Sequence, residues 1–190
     1  MNNMSKPVLM IHAMSDDMFK LPLHEYTLTF DDGLYSQYKH LDRLLAIDTE
    51  KYFFVSTNFV CIGHQTTDTV PSSVAHEKAR CGNKEDFMTA EQIQYISKQP
   101  MCHVGGHGHD HLRLTLIDRF VDRISAAEQD LVTMCHHMKK LVGYVPTSFC
   151  FPYNYDIGGM YQAILKKHGF VKWFGRERIP IETLLHMPYP

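Results

Sequence analysis

Short apolar runs alternate along the chain with longer segments whose apolar positions recur three and four residues apart. The runs "PVLMIHA" (7–13), "YTLTF" (26–30), "YFFVSTNFV" (52–60), "CHVGGH" (102–107), "SFCFPY" (148–153), "FVKWFG" (170–175) and "ETLLHM" (182–187) predict strands. Helices are predicted over 34–47, 89–98, 116–141 and 156–168. In the third helix Phe120, Ile124, Ala127, Leu131, Met134 and Met138 form one stripe, and Gly143 followed by Pro146 is a stop signal. Strands alternating with helices predict an α/β domain with parallel strands. Residues 61–86, "CIGHQTTDTVPSSVAHEKARCGNKED", break the alternation. They are polar, rich in turn residues and too long for a plain connector, which suits a binding lid or an ordered insertion.

Composition narrows the class. The 190 residues fit one domain, read as spanning 1–190, and 44% apolar with 21% charged residues is a globular balance. A net charge of -2 supplies no basic footprint, so no nucleic acid partner is expected. The five cysteines, Cys61, Cys81, Cys102, Cys135 and Cys150, are scattered without a Cys-x-x-Cys pair, which excludes a zinc knuckle and a disulfide framework. Reduced thiols, no apolar leader and no run long enough to span a bilayer give the expectation of a cytoplasmic protein without membrane insertion.

Three stretches carry chemistry. In "LTFDDGLYSQY", Asp31 and Asp32 follow an apolar run and Gly33 turns the chain. Carboxyl ends of parallel strands are where α/β active sites form, and on the turn two adjacent acids can converge, one on a cation and one free as a base. The same pair could equally cap a helix. In "CHVGGHGHDHLRL" (102–114), His107 and His111 are four apart and could share one metal if the segment curls like a helical turn. His107 and His109 instead form His-x-His, and with Asp110–His111 they fall one residue short of the run used by binuclear hydrolases. A surface loop with unrelated histidines is the third reading. Imidazole with carboxylate suits Zn²⁺ and tolerates Co²⁺, Ni²⁺ or Fe²⁺. In "FCFPYNY" (149–155), Pro152 fixes the backbone and the Tyr153 amide is free to meet an oxyanion, although an ordinary strand end with aromatic packing has the same sequence.

Taken together and in this order, "TFDDG", "GGHGHDHLRL" and "FCFPYN" resemble the three motifs of the polysaccharide deacetylases, the NodB-homology family. "VLMIHA", "YFFVSTNFV", "MTAEQIQYI" and "LKKHGFVKWFGRERIPI" extend the resemblance over nearly the whole chain. The resemblance implies a distorted (β/α)7 barrel and a metal-dependent hydrolase that removes acetyl groups from N-acetylated sugars of a poly- or oligosaccharide. An O-antigen, capsule or other cell-envelope glycan precursor fits a cytoplasmic setting. Carried over residue by residue, it implies Asp32, His107 and His111 as ligands of one divalent ion, Asp31 as general base and the Tyr153 amide as oxyanion donor. His186 in "LLHMP" would be the acid that protonates the leaving amine.

Two positions depart from the family pattern. Gly108 stands where a Ser or Thr hydroxyl steadies the loop, and Cys150 where many members carry an Arg paired with the catalytic Asp. Without that Arg, Asp31 would have a raised pKa, or another cation would take the place. These departures motivate a second hypothesis, a catalytically idle, metal-containing carbohydrate-binding module. A third is a binuclear hydrolase using His107, His109 and His111. His12 and His109 are further groups expected near the site.

Overall fold

The computed structural model describes residues 6–66 and 69–185. Seven strands form one sheet: β1 (Val8–Ile11), β2 (Thr27–Phe30), β3 (Lys51–Val55), β4 (Cys102–Gly106), β5 (Ser148–Cys150), β6 (Lys172–Phe174) and β7 (Ile179–Pro180). All neighbours are parallel, in the order β6-β5-β4-β3-β2-β1-β7. The sheet curls with helices flanking it, the distorted barrel architecture of the NodB type. Parallel strands covered by helices should be apolar on both faces, and in β3 all five residues are buried. One inward stack runs through Leu9, Ile11, Leu28, Phe30 and Phe53, with Phe30 stacked on Phe53 at 4.6 Å.

The helices are α1 (Tyr35–Lys39), α2 (Leu41–Leu45), α3 (Ser72–Arg80), α4 (Ala90–Ile96), α5 (Phe120–Val142), α6 (Met160–Lys167) and α7 (Ile181–Leu185). The segment expected as one helix over 34–47 is two, broken at His40, whose ψ of 10° leaves the helical range. Helix α4 starts with a capping box: Thr89 Oγ1 accepts from the Gln92 amide while Gln92 Oε1 accepts from the Thr89 amide. In α5, Ala127, Leu131, Met134 and Met138 are buried as the stripe requires, and left-handed Gly143 ends the helix. Phe120, assigned to the same stripe, is 52% exposed because it is the first residue of α5, beyond the part that packs on the sheet.

One strand expectation needs correction. "ETLLHM" was expected as a strand, but Ile181–Leu185 is helical and the last strand is the preceding Ile179–Pro180, paired with Leu9 and Met10. Adjacent Leu184 and Leu185 do not alternate, and Glu182 sits in the first helical turn, where the helix dipole favours an acid. The insertion at 61–86 contains a nine-residue helix, α3, whose residues Ala75 and Ala79 pack with Leu34, Phe59 and Phe87 in a small core of their own. This places α3 over the carboxyl end of the sheet. Among the described residues no helix is long and apolar enough to cross a membrane.

Candidate active site

Strand β2 ends at Phe30, and the two acids lie on the turn beyond it. Asp32 has φ 74° and Gly33 φ 81°, so the chain reverses and both carboxylates line one cavity of about 250 Å³. Gln37 on α1 fixes this turn by donating to the carbonyls of His12 and Asp31 at 2.8 and 2.6 Å, tying the ends of β1 and β2 together. Left-handed backbone recurs at His111 (φ 50°) and Tyr153 (φ 55°). For non-glycine residues such conformations cost about 1–3 kcal/mol each and gather at functional sites.

Asp32 is buried, and its Oδ1 is 3.3 Å from His107 Nε2, 3.3 Å from His111 Nε2 and 3.2 Å from His76 Nε2. None of these contacts has hydrogen-bond geometry: Asp32 Oδ1 and His76 Nε2 are buried without a partner, as is the other ring nitrogen of His111, Nδ1. His107 Nδ1 donates to the Cys150 carbonyl at 2.8 Å, which turns Nε2 toward Asp32. Burial would lower this imidazole, but Cys150 and Asp32 beside it hold it well above the usual histidine range. Burial, reinforced by the neighbouring His107, holds His111 well below the usual histidine range, so its ring is neutral. Burial alone would raise the Asp32 carboxyl, yet the surrounding imidazoles hold it well below its ordinary value. Asp32, His76 and His111 each place one ligand atom within 4.8 Å of the others. A buried carboxylate with three imidazole Nε2 atoms turned on one of its oxygens fits a divalent cation.

Asp31 has different company. Its Oδ1 accepts from Arg178 Nη1 at 2.7 Å, while Oδ2 lies 3.5 Å from Cys150 Sγ and 4.0 Å from His12 Nε2. Burial pushes the Asp31 carboxyl up, but Arg178 and His107 outweigh it and the carboxyl stays below its usual value. Arg178 stands immediately before β7 and also donates to Asn154 Oδ1 at 2.8 Å. The cation expected at position 150 is therefore supplied from position 178. Cys150 keeps its proton: burial and the Asp31 carboxylate push its thiol up to about 11.

The other departure is compensated in the same way. Gly108 has φ 78°, and a Cβ there would lie 2.5 Å from Asp130 Oδ2. Asp130, buried on α5, accepts from the amides of His109 and Asp110 at 2.8 Å each. A carboxylate from a distant helix thus steadies the loop, and the glycine makes room for it.

His109 turns away from the cavity. Its ring stacks on His137 at 4.7 Å and its Nδ1 meets Thr57 Oγ1 at 2.8 Å. The binuclear arrangement of His107, His109 and His111 is thereby corrected, since the alternation of β4 ends at Gly106 and His109 stands on the turn beyond it. Asp110 is held by Asn58, and His103 by Glu50 on the outer side of the sheet. His12 lines the cavity, as does Tyr153, whose ring is 4.7 Å from that of His111. The hydrogen bonds of the Tyr153 turn run from Asn154 N to Phe151 O and from Tyr155 N to Pro152 O, leaving the Tyr153 amide out of them. His186 lies outside the described residues.

A parallel barrel with a buried Asp/His metal-type cluster at the strand carboxyl ends defines a class of metal-dependent hydrolase folds. The chain matches the polysaccharide deacetylase family over residues 21–173 and belongs to it. Among solved structures it is similar to IcaB from Ammonifex degensii, with a TM-score of 0.63 and 19% identity over 92% of this chain and 84% of that one. A de-N-acetylase from Aggregatibacter actinomycetemcomitans gives 0.62 and 11% identity, covering 92% of both chains. The BpsB deacetylase domain from Bordetella bronchiseptica gives 0.59 and 16%, covering 92% of this chain and 93% of that one. At these identities the likeness is one of fold. No curated protein matches the sequence significantly.

Proposed function

We propose that the chain is a metal-dependent deacetylase that hydrolyses the acetamide of an N-acetylated sugar in a poly- or oligosaccharide, such as a cell-envelope glycan precursor. The observation that carries this reading is the division of labour between adjacent acids: Asp32 faces the imidazoles of His107 and His111, while Asp31, which also lines the cavity, faces Arg178. Asp32, His107 and His111 hold the cation, with Zn²⁺, Co²⁺, Ni²⁺ and Fe²⁺ all compatible with the donor set. The bound cation supplies Lewis acidity for the acetamide carbonyl and eases ionisation of the attacking water.

The protein's own groups do the rest. Asp31, ionised at neutral pH, takes a proton from the attacking water, with Arg178 on Oδ1 and the weak thiol donor of Cys150 on Oδ2 holding the carboxylate in place. As the carbonyl carbon becomes tetrahedral, the Tyr153 amide donates to its oxygen. The C–N bond then breaks, the carbon leaving as acetate and the nitrogen taking a proton to leave as the amine. His186 is the proton donor to that nitrogen in the family-based assignment. The cavity walls of Tyr153, Phe151 and Asn154 orient the sugar.

The test is acetate release from a chitin oligosaccharide by metal-loaded protein. Release by the wild type, abolished in Asp31→Asn at unchanged metal content, is the expected result. Wild-type activity and metal content in Asp32→Ala would refute it.

A further inference from the structure

The inserted helix α3 presents one face to the site. Ser72, His76 and Arg80 are spaced four apart and so lie in a row. Ser72 Oγ donates to Asp32 Oδ2, which orients that carboxylate. Arg80 Nη2 donates to the Tyr153 hydroxyl at 3.0 Å, which ties the helix to the opposite wall. His76 lies between them, 5% exposed, with its ring packed against Phe59 at 5.0 Å and edge-on to His111 at 4.4 Å.

His76 Nε2 has no hydrogen-bond partner, yet it is 3.2 Å from the same oxygen that His107 and His111 approach at 3.3 Å. A buried imidazole nitrogen left unpaired is costly, so its position requires something to bind. Two ligand atoms each roughly 2.0–2.1 Å from one tetrahedral centre are about 3.3 Å apart, which matches all three contacts. We infer that His76 is a fourth protein ligand to the cation, delivered by the inserted helix. This rests on the metal-site reading above and extends its ligand set to one carboxylate and three imidazoles.

Four protein ligands complete a tetrahedron, the arrangement of closed sites. Hydrolysis at such a site requires a cation that takes more than four ligands, or release of His76 when substrate arrives. Either way α3 becomes part of the metal site and not only its roof.

The test is titration of metal-free protein with Co²⁺, following its visible absorption, for the wild type, His76→Gln and His107→Gln. A lost ligand should weaken affinity at least about 10-fold, the scale on which even indirect supports of a metal act. The expected result is weakened binding and an altered Co²⁺ spectrum in both variants, with unchanged melting of the metal-free proteins. Unchanged affinity and spectrum in His76→Gln, with binding lost in His107→Gln, overturns the fourth ligand and leaves the deacetylase reading standing. A wild type that binds no Co²⁺ overturns both. X-ray absorption of the loaded wild type needs no variant: three imidazoles around the ion support the assignment and two refute it.

Discussion

Arg178 Nη1 sits 2.7 Å from Asp31 Oδ1, across 147 residues of sequence and with both side chains buried. The sheet explains the distance: β7 pairs with β1 and β1 with β2, so Arg178 starts near the level of Thr27. Its long side chain runs past Thr29, whose Oγ1 it meets at 3.1 Å, to the turn after β2. Because the guanidinium holds Asp31 below the usual carboxylate range, its stabilising contribution is present above the unfolded pKa near 3.8 and is lost as pH falls through the lower folded value. Arg178→Met removes that cation. The acid limb of kcat/KM against pH should then move upward, as the buried carboxyl reverts to the raised pKa that desolvation favours. Leaving Asp31 unpaired should also cost about 3–5 kcal/mol in urea unfolding at pH 7. An acid limb unmoved in a folded Arg178→Met protein would count against Asp31 as the titrating base.

Asp130 is the second long-range support. Asp130→Ala removes the acceptor for two amides of the 108–111 loop and should cost about 1.5–3 kcal/mol, the range for hydrogen bonds to a charged group. Gly108→Ser restores the residue type usual in the family, yet here it should destabilise by about 1–3 kcal/mol, since φ is 78° and the new Cβ meets Asp130. Chemical denaturation of both variants checks this. A Gly108→Ser protein as stable as wild type would mean the loop does not depend on Asp130.

The residues legible in the sequence were those whose geometry is local. Asp31 and Asp32 share one turn, His107 and His111 one short loop, and Tyr153 follows Pro152 directly, so spacing makes them candidates, and the family resemblance chooses among the alternatives. Arg178, Asp130 and His76 reach the site through the sheet order, through packing of α5 and through an insertion, and none of these has a spacing signature. The available signals were weaker: an Arg beside an Ile-Pro strand in "RERIP", and His76 in register with Ser72 and Arg80 in "SSVAHEKAR". The alternation of strands and helices was legible because burial imposes it. The last strand was misplaced because two residues, Ile179–Pro180, carry no periodicity.

Cysteine chemistry separates buried from exposed positions. Cys150 is fully buried with its thiol pushed up to about 11, whereas Cys81 is exposed at the end of α3. Only thiolate reacts with alkylating agents. Iodoacetamide at pH 7.5 should therefore label Cys81 first and leave Cys150 unmodified while the protein stays folded, as read by peptide mass spectrometry. Early labelling of Cys150 would show that its surroundings open to solvent.

Metal binding should register in stability, since the buried atoms Asp32 Oδ1 and His76 Nε2 lack partners without it. A ligand that binds only the folded state at 100 times its Kd adds about 2.7 kcal/mol. For a chain of this size each kcal/mol raises Tm by roughly 2–4 °C, so a saturating divalent ion should raise Tm by roughly 5–11 °C over chelated protein. Asp32→Ala should abolish the increment because it deletes the oxygen on which the three imidazoles converge. The chelated Asp32→Ala protein should melt below chelated wild type, since a carboxyl held under its ordinary pKa contributes stability at neutral pH and Ser72 loses its acceptor. Differential scanning calorimetry with and without metal reads both quantities, and an equal metal-induced shift in wild type and variant would place the ion elsewhere.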